Sequence, residues 1–277
     1  MPDDSAQAPL DTAWDNTSDQ NFVDYYERES LKPETVQRFT TIRDKSLRLL
    51  AAQPAGISGT LHVADIGCGT GTQSMLWSKL GHHPHGIDIN APLVEIARKR
   101  AVQAGMNIPF EVGSATELPY PDASMDVVLL PELLEHVADW KRCLGEAIRI
   151  LKPGGLLYLS TTNYLCPVQE EFNLPCYSWY PGFLKRRYER LAITTRPEIA
   201  NYCRYPAVNW FSVYSLCAHL KACGFVSHDR FDMIDTERNG SIARTALTLI
   251  KAVPCMRFVG HVLSPGSTVF AIKTTSE

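Results

Sequence analysis

The feature that ties this chain most tightly to one kind of fold is Val63-Ala64-Asp65-Ile66-Gly67-Cys68-Gly69-Thr70-Gly71, an apolar run that breaks into alternate glycines. Such a run reads as a strand that must turn sharply where it ends, and glycine takes the backbone conformations of that turn without strain. A helical pattern follows at 72–80, so free N–H groups at a helix start face whatever lies above the strand. The spacing differs from the GxGxxG fingerprint of dinucleotide sites. Alone, the loop specifies a strand, a turn and a helix with a ligand against the backbone, and leaves the ligand open.

The surrounding pattern settles the fold class. Short apolar runs at 61–66, 84–89, 108–113, 125–130 and 155–161 alternate with helical patterns at 72–80, 91–104 and 139–151, which is the rhythm of βαβ units. With strands at 225–232 and 268–274, this predicts an α/β, doubly wound, mostly parallel seven-stranded sheet. A helix from Pro33 to about Ala52 precedes it, and helices are expected at 212–223 and 241–253. Residues 1–33 read as a mobile arm and covering segment, 34–162 as the core, 163–210 as an aromatic insertion, and 211–277 as the rest of the same core.

Composition narrows the function classes. The 277 residues carry 27 Lys and Arg against 30 Asp and Glu, a formal charge of -3, which offers no general attraction to nucleic acid. The 8 cysteines include no CxxC pair, the N-terminus has no secretory pattern, and no window nears the roughly 18 apolar residues of a membrane span. A cytoplasmic protein without stable membrane insertion, a monomer or homodimer, is expected.

Beyond the loop, Gly86-Ile87-Asp88 closes the second strand with an acid able to accept both hydroxyls of a ribose. Ser114-Ala115-Thr116-Glu117-Leu118-Pro119 follows the third strand, Met125 to Leu130 forms the fourth, and Leu151-Lys152-Pro153-Gly154-Gly155 ends a helix. In this order the motifs resemble the class I S-adenosylmethionine-dependent methyltransferases, over roughly 34–162. The resemblance implies a Rossmann-like methyltransferase fold and S-adenosylmethionine as cofactor. It implies that Asp65, Gly67, Gly69 and Gly71 shape the pocket for the methionine half and that Asp88 binds ribose. Ile89 and Ala115 then flank the adenine, with Ser114 and Thr116 beside them, and Leu130 and Pro131 lie under the cofactor. Ser114 departs from the Asp common among relatives and is a weaker acceptor for the adenine amino group.

Pro131-Glu132-Leu133-Leu134-Glu135-His136-Val137 follows the fourth strand, and the carboxyl end of such a strand is where ligands bind. A short turn of helix at 132–137 would set Glu132, Glu135 and His136 on one face. The run resembles that of methyltransferases acting on small hydroxylated molecules, including ubiquinone-pathway O-methyltransferases, some of which bind a divalent metal there. Three roles stay open: His136 as general base, the Glu132, Glu135 and His136 face as a metal site, or plain packing. His136 is the nominated catalytic residue; metal is not favoured, there or at His82, His83 and His85.

The aromatic insertion, with Tyr164, Trp179, Tyr180 and Trp210, reads either as a substrate lid or as a satellite core, and Tyr25 is a further covering candidate. No motif for methylating nucleobases follows the fourth strand. The leading expectation is O-methylation of a small aromatic or apolar acceptor. N-, S- or C-methylation, or a non-catalytic module binding the same cofactor, are the alternatives.

Overall fold

The chain is described by a computed structural model that covers residues 20–53, 59–200, 207–234 and 241–275. The arm expected before residue 20 lies outside these, as do Tyr202 and Tyr205. The helices and strands are α1 (Gln20–Glu29), α2 (Pro33–Ala51), β1 (His62–Ile66), α3 (Thr72–Ser78), β2 (His83–Asp88), α4 (Ala91–Gln103), β3 (Phe110–Val112), β4 (Met125–Pro131), α5 (Trp140–Ile150), β5 (Leu151–Thr162), α6 (Gly182–Thr194), α7 (Val213–Ala222), β6 (Phe225–Asp229), α8 (Ser241–Ala252), α9 (Pro254–Val262) and β7 (Gly266–Lys273).

The strands form one seven-stranded sheet in the order β3-β2-β1-β4-β5-β7-β6. The first five pair in parallel, and β7 runs antiparallel to both β5 and β6. The chain winds outward from β1 to β3 and then returns to the other side of β1, so the order reverses between β1 and β4. At such a switch point the connections part in opposite directions and leave a crevice above the carboxyl ends of the two strands.

Burial on both faces explains the strand sequences. Every residue of β4 from Met125 to Leu130 is buried, as a central parallel strand covered by helices on each side requires. Alternation assigns the faces: Leu157 and Leu159 of β5, with Val269 and Ala271 of β7, join the core under α5 and α7. Leu156 and Tyr158, with Phe270 and Ile272, join Ile42, Leu50 and Trp77 on the face covered by α2 and α3. Among the described residues, no helix is long and apolar enough to cross a membrane.

Four elements differ from expectation. Part of the 1–33 segment is helical: α1 is fastened to α4 by Arg100, which donates to the Glu27 carbonyl at 2.7 Å and to Ser30 Oγ at 3.0 Å. Helix α6 occupies part of the aromatic insertion, and α9 follows α8 after the break at Val253-Pro254. Most directly, residues 132–137 form turns, not a helix. Glu132 sits at φ +50, its N–H donating to the Ser160 carbonyl at 2.9 Å, so the chain leaves β4 still bound to β5. The carbonyls of Leu134 and Val137 are taken by Asn209 Nδ2 at 2.9 and 2.6 Å. With Glu132 in the left-handed region the chain cannot continue into a helical turn, and Asn209 holds the turns that form instead.

The inserted helices are anchored by a buried ion network. Asp229 at the end of β6 accepts from Arg257 Nε and pairs with His261 Nε2, each at 2.8 Å, and both partners lie on α9. Burial works against the Asp229 charge, but the hydrogen bonds of His261 and Arg257 outweigh it and hold the carboxyl at about 2. Because the folded value lies below the usual 3.8, the stabilisation is complete above that pH and disappears as pH falls through about 2. Asp229→Asn should therefore cost about 2 kcal/mol in denaturant unfolding at pH 7, with the gap to wild type closing between pH 4 and pH 2. Gly71→Ala tests the loop: at φ +79 its Cβ would lie 2.7 Å from Phe110 Cζ and 2.9 Å from Ala97 Cβ. A loss of about 2 kcal/mol is expected in the same assay.

Candidate functional site

The crevice at the switch point is built by the loop after β1. Gly67, Gly69 and Gly71 all have positive φ, at +75, +51 and +79. The N–H groups of Gly67 and Cys68 both donate to the Ile87 carbonyl, at 2.8 and 3.1 Å, which draws the loop across the end of β2. There Asp88 takes over, its Oδ2 accepting from Gly69 N–H and its Oδ1 from Asn90 N–H, each at 2.8 Å. With a third backbone bond, from Ile89, the carboxylate of Asp88 still has acceptor capacity for a further donor. A Cβ on Gly69 would meet nothing within 4 Å, whereas one on Gly67 would meet Leu133 Cδ1 at 3.1 Å. Open space therefore lies over Gly69, beside the free side of Asp88.

Beneath the loop, Asp65 is fully buried, with Oδ2 accepting from Ser74 Oγ at 2.6 Å and Oδ1 without a partner. Burial raises its carboxyl to about 6, with the Asp88 charge adding to the effect. Burial raises Asp88 as well, opposed by its backbone hydrogen bonds. Ile89 and Ala115 border the crevice as half-buried side chains. Ser114 Oγ lies 2.8 Å from Thr116 Oγ1 and accepts from Thr116 N–H at 3.1 Å, a local turn that fixes the segment after β3. Leu130 is buried inside β4, and Pro131 at its end is partly exposed. The residues expected to hold the adenosyl group lie at or just beyond the carboxyl ends of β1, β2, β3 and β4, and the orphaned Asp65 oxygen and the open cradle at Gly69 fit a ligand with polar groups there.

The run after β4 collects acids. Glu135 is completely buried, accepting from Thr161 Oγ1 at 2.6 Å through Oε2, while Oε1 has no partner. Burial first, and then the Glu132 charge, push its carboxyl far above the usual carboxylate range. Glu132 is exposed, 4.0 Å from Arg38, and apart from the Glu135 and His136 group. In its place the fold supplies Glu171 from the insertion: ligand atoms of Glu135, His136 and Glu171 all lie within 4.8 Å of one another. Burial and the charges of Glu132 and Glu170 raise Glu171 to about 7. Sequence spacing could not pair Glu171 with His136, although Gln169-Glu170-Glu171 is a polar break in an aromatic stretch. Among the described residues no other such group forms; His62 and His85 stack at 5.9 Å, and His82 Nδ1 accepts from Leu61 N–H.

Next to Glu132 opens a cavity of about 630 Å³, bounded by α2, the ends of β5 and β7, and residues 169–171. Its walls include Arg38, Lys45, Ser160, Thr161, Glu171 and Arg230. The aromatic residues expected to line such a space lie elsewhere. Tyr180 and Trp210 pack in a satellite core around Phe172 and Tyr177, whose rings stack at 3.9 Å. Trp179 is 58% exposed and donates from Nε1 to the Leu165 carbonyl, while Tyr25 and Tyr164 are exposed as well. What the insertion brings to the cavity is its polar residues.

With this geometry in place, likeness to known proteins becomes informative. Residues 64–159 match the family description "Methyltransferase domain". A demethylmenaquinone methyltransferase of Tropheryma whipplei is 30% identical over 184 residues, 66% of this chain and 74% of that protein. A ubiquinone biosynthesis O-methyltransferase of Xanthomonas axonopodis pv. citri is 38% identical over 112 residues, 40% of this chain and 45% of that protein. The plantazolicin methyltransferase BpumL, solved with SAH, superposes with a TM-score of 0.59 at 15% identity, over 96% of this chain and 94% of that one. The strand order, the carboxylate-bound glycine loop and these relatives agree, and the chain belongs to the class I S-adenosylmethionine-dependent methyltransferases.

Proposed function

We propose that this protein methylates a hydroxyl group of a small aromatic or apolar metabolite, the proton leaving to the cluster of Glu135, His136 and Glu171. The observation that carries the reading is that cluster itself, three proton-binding groups within 4.8 Å of one another, of which Glu171 lines the cavity beside Glu132. The name of one relative, an O-methyltransferase of ubiquinone biosynthesis, supports a ring hydroxyl as the acceptor. When bound, S-adenosylmethionine supplies an electrophilic methyl group on a positively charged sulfur.

The chain's own contribution is positioning, water exclusion and proton management. Asp88 accepts the ribose hydroxyls through the acceptor capacity its backbone bonds leave, Gly69 leaves the space, and Ile89 and Ala115 flank the adenine with Ser114 and Thr116 behind. Leu130 and Pro131 form the floor. At the acceptor end Glu171 lines the cavity and His136 lies in the same cluster, so a hydroxyl proton has a base at hand. His136 is that base, and Glu171 aligns the hydroxyl toward it.

A second reading has its own observation. Glu135 and Glu171 are both pushed upward by burial and neighbouring acids, and Glu135 Oε1 is buried without a partner. Carboxylates crowded in this way are relieved by protons or by a cation. Two carboxylates and an imidazole suit a divalent ion, which would supply Lewis acidity toward the acceptor oxygen.

A panel of phenolic acceptors with isotopically labelled S-adenosylmethionine, run with and without chelator, separates the two. The base reading expects turnover that chelator leaves unchanged, and His136→Asn and Glu171→Gln lowering kcat about 100-fold with S-adenosylhomocysteine affinity kept. Turnover lost to chelator and restored by a divalent ion favours the metal. Unchanged kcat in both variants rejects the cluster altogether. Independently, Gly69→Ala should weaken S-adenosylhomocysteine binding more than about tenfold in calorimetry, while costing only about 1 kcal/mol of stability.

A further inference from the structure

The cavity beside Glu132 is lined by charges of both signs. Glu132, Glu170 and Glu171 are its acids, and the charges acting on Glu171 are those of the other two. Its cations include Lys45 of α2 and Arg230, the first residue beyond β6, and the Glu132 charge reaches Arg230 as well. The charges acting on Lys45 are both positive, those of Arg48 and Arg230, and together with burial they lower its pKa. Among the described residues Lys45 forms no ion pair.

Among the described residues Arg230 forms no ion pair either, although the charges of Asp229 and Glu132 act on it. One terminal nitrogen donates to the Gly266 carbonyl at 2.8 Å and to Thr268 Oγ1 at 3.3 Å, while Nε is buried with no partner. Its neighbour in sequence, Asp229, is engaged by His261 and Arg257. Two cations drawn partly out of water side by side, with donors left over, destabilise a protein unless something negative joins them. Thr41, Gln37 and Thr268 line the same cavity and add donors of the kind that bind oxyanions.

We propose that Lys45 and Arg230 form an anion subsite that receives a carboxylate or phosphate carried by the methyl acceptor. The acceptor is then a small molecule with an ionised group at one end and its nucleophile at the other, near Pro131 and Glu132. Arg230 supplies a planar donor face and Lys45 a point charge, a pairing suited to either oxyanion. A cavity of about 630 Å³ holds a molecule of that size. The inference rests on the assignment of this cavity to the acceptor in the proposed function.

The test uses the full chain saturated with S-adenosylhomocysteine and measures binding, not turnover. Benzoate, phenyl phosphate and neutral benzamide are titrated by ligand-observed nuclear magnetic resonance. At least one anion should bind about tenfold more tightly than benzamide, and which one does so distinguishes carboxylate from phosphate. Lys45→Gln and Arg230→Gln should each reduce that preference to less than about threefold, with Lys45→Arg restoring it and S-adenosylhomocysteine affinity unchanged. Because Arg230 also braces β7, Lys45→Gln decides the matter if the other variant fails to fold. Equal binding of anions and amide, binding of no probe, or a preference that survives Lys45→Gln overturns the subsite. Since no chemistry is read, failure of the proton-transfer assignment leaves this result untouched, and the reverse also holds.

Discussion

The carboxylate of Asp88 and the carbonyl of Ile87 take three N–H groups of the glycine loop, those of Gly67, Cys68 and Gly69. Everything at the functional end of the sheet depends on this seam between β1 and β2. It forces the positive φ values that only glycine adopts without strain, and it opens the space above Gly69. It also leaves Asp88 oriented by backbone N–H groups, with acceptor capacity for a further donor. The reversal of strand order between β1 and β4 then brings the end of β4, and with it Pro131 and Glu132, to the same crevice.

The second organising constraint is the crowding of acids at the carboxyl ends of the strands. Asp65, Asp88, Glu135 and Glu171 are all raised above their ordinary values, chiefly because burial penalises their charge. A protein selected for stability alone would replace or pair such groups; perturbed carboxyls in a cleft mark a site that binds or moves charge. Asp229 makes the contrast: opposed by the same desolvation, it is held low by His261 and Arg257, and it anchors α9. Among the described residues these four acids have no cation paired with them, and Lys45 and Arg230, which form no ion pair there either, line the cavity beside Glu132.

Much of this was legible in the sequence because the deciding interactions are local. The strands announce themselves as apolar runs of the length a covered parallel strand needs, and Asp65, the three glycines and Asp88 sit on consecutive strand ends, where the sheet's own register gathers them. The run from Glu132 to His136 was harder. Its spacing fits one face of a helix, but Glu132 stands at a positive φ, and Ser160 and Asn209, both remote in sequence, hold the turns through their backbone groups. Glu171 reaches His136 only through the path of the insertion, and of the aromatic residues that suggested a lid, Tyr180 and Trp210 pack around Tyr177 while Tyr164 and Trp179 are exposed. Lys45 and Arg230 lie 185 positions apart and share a cavity only once β6 and α2 meet the sheet.

The central claim is that Asp88 both pins the loop and receives the cofactor's ribose. Calorimetric titration of S-adenosylhomocysteine into wild type and Asp88→Ala tests it most directly, with thermal unfolding of both proteins measured without ligand. The account predicts a loss of at least about 100-fold in affinity, as expected when two charge-assisted hydrogen bonds disappear, in a variant that still unfolds cooperatively. Binding to a cooperatively folded Asp88→Ala protein with wild-type affinity would contradict it.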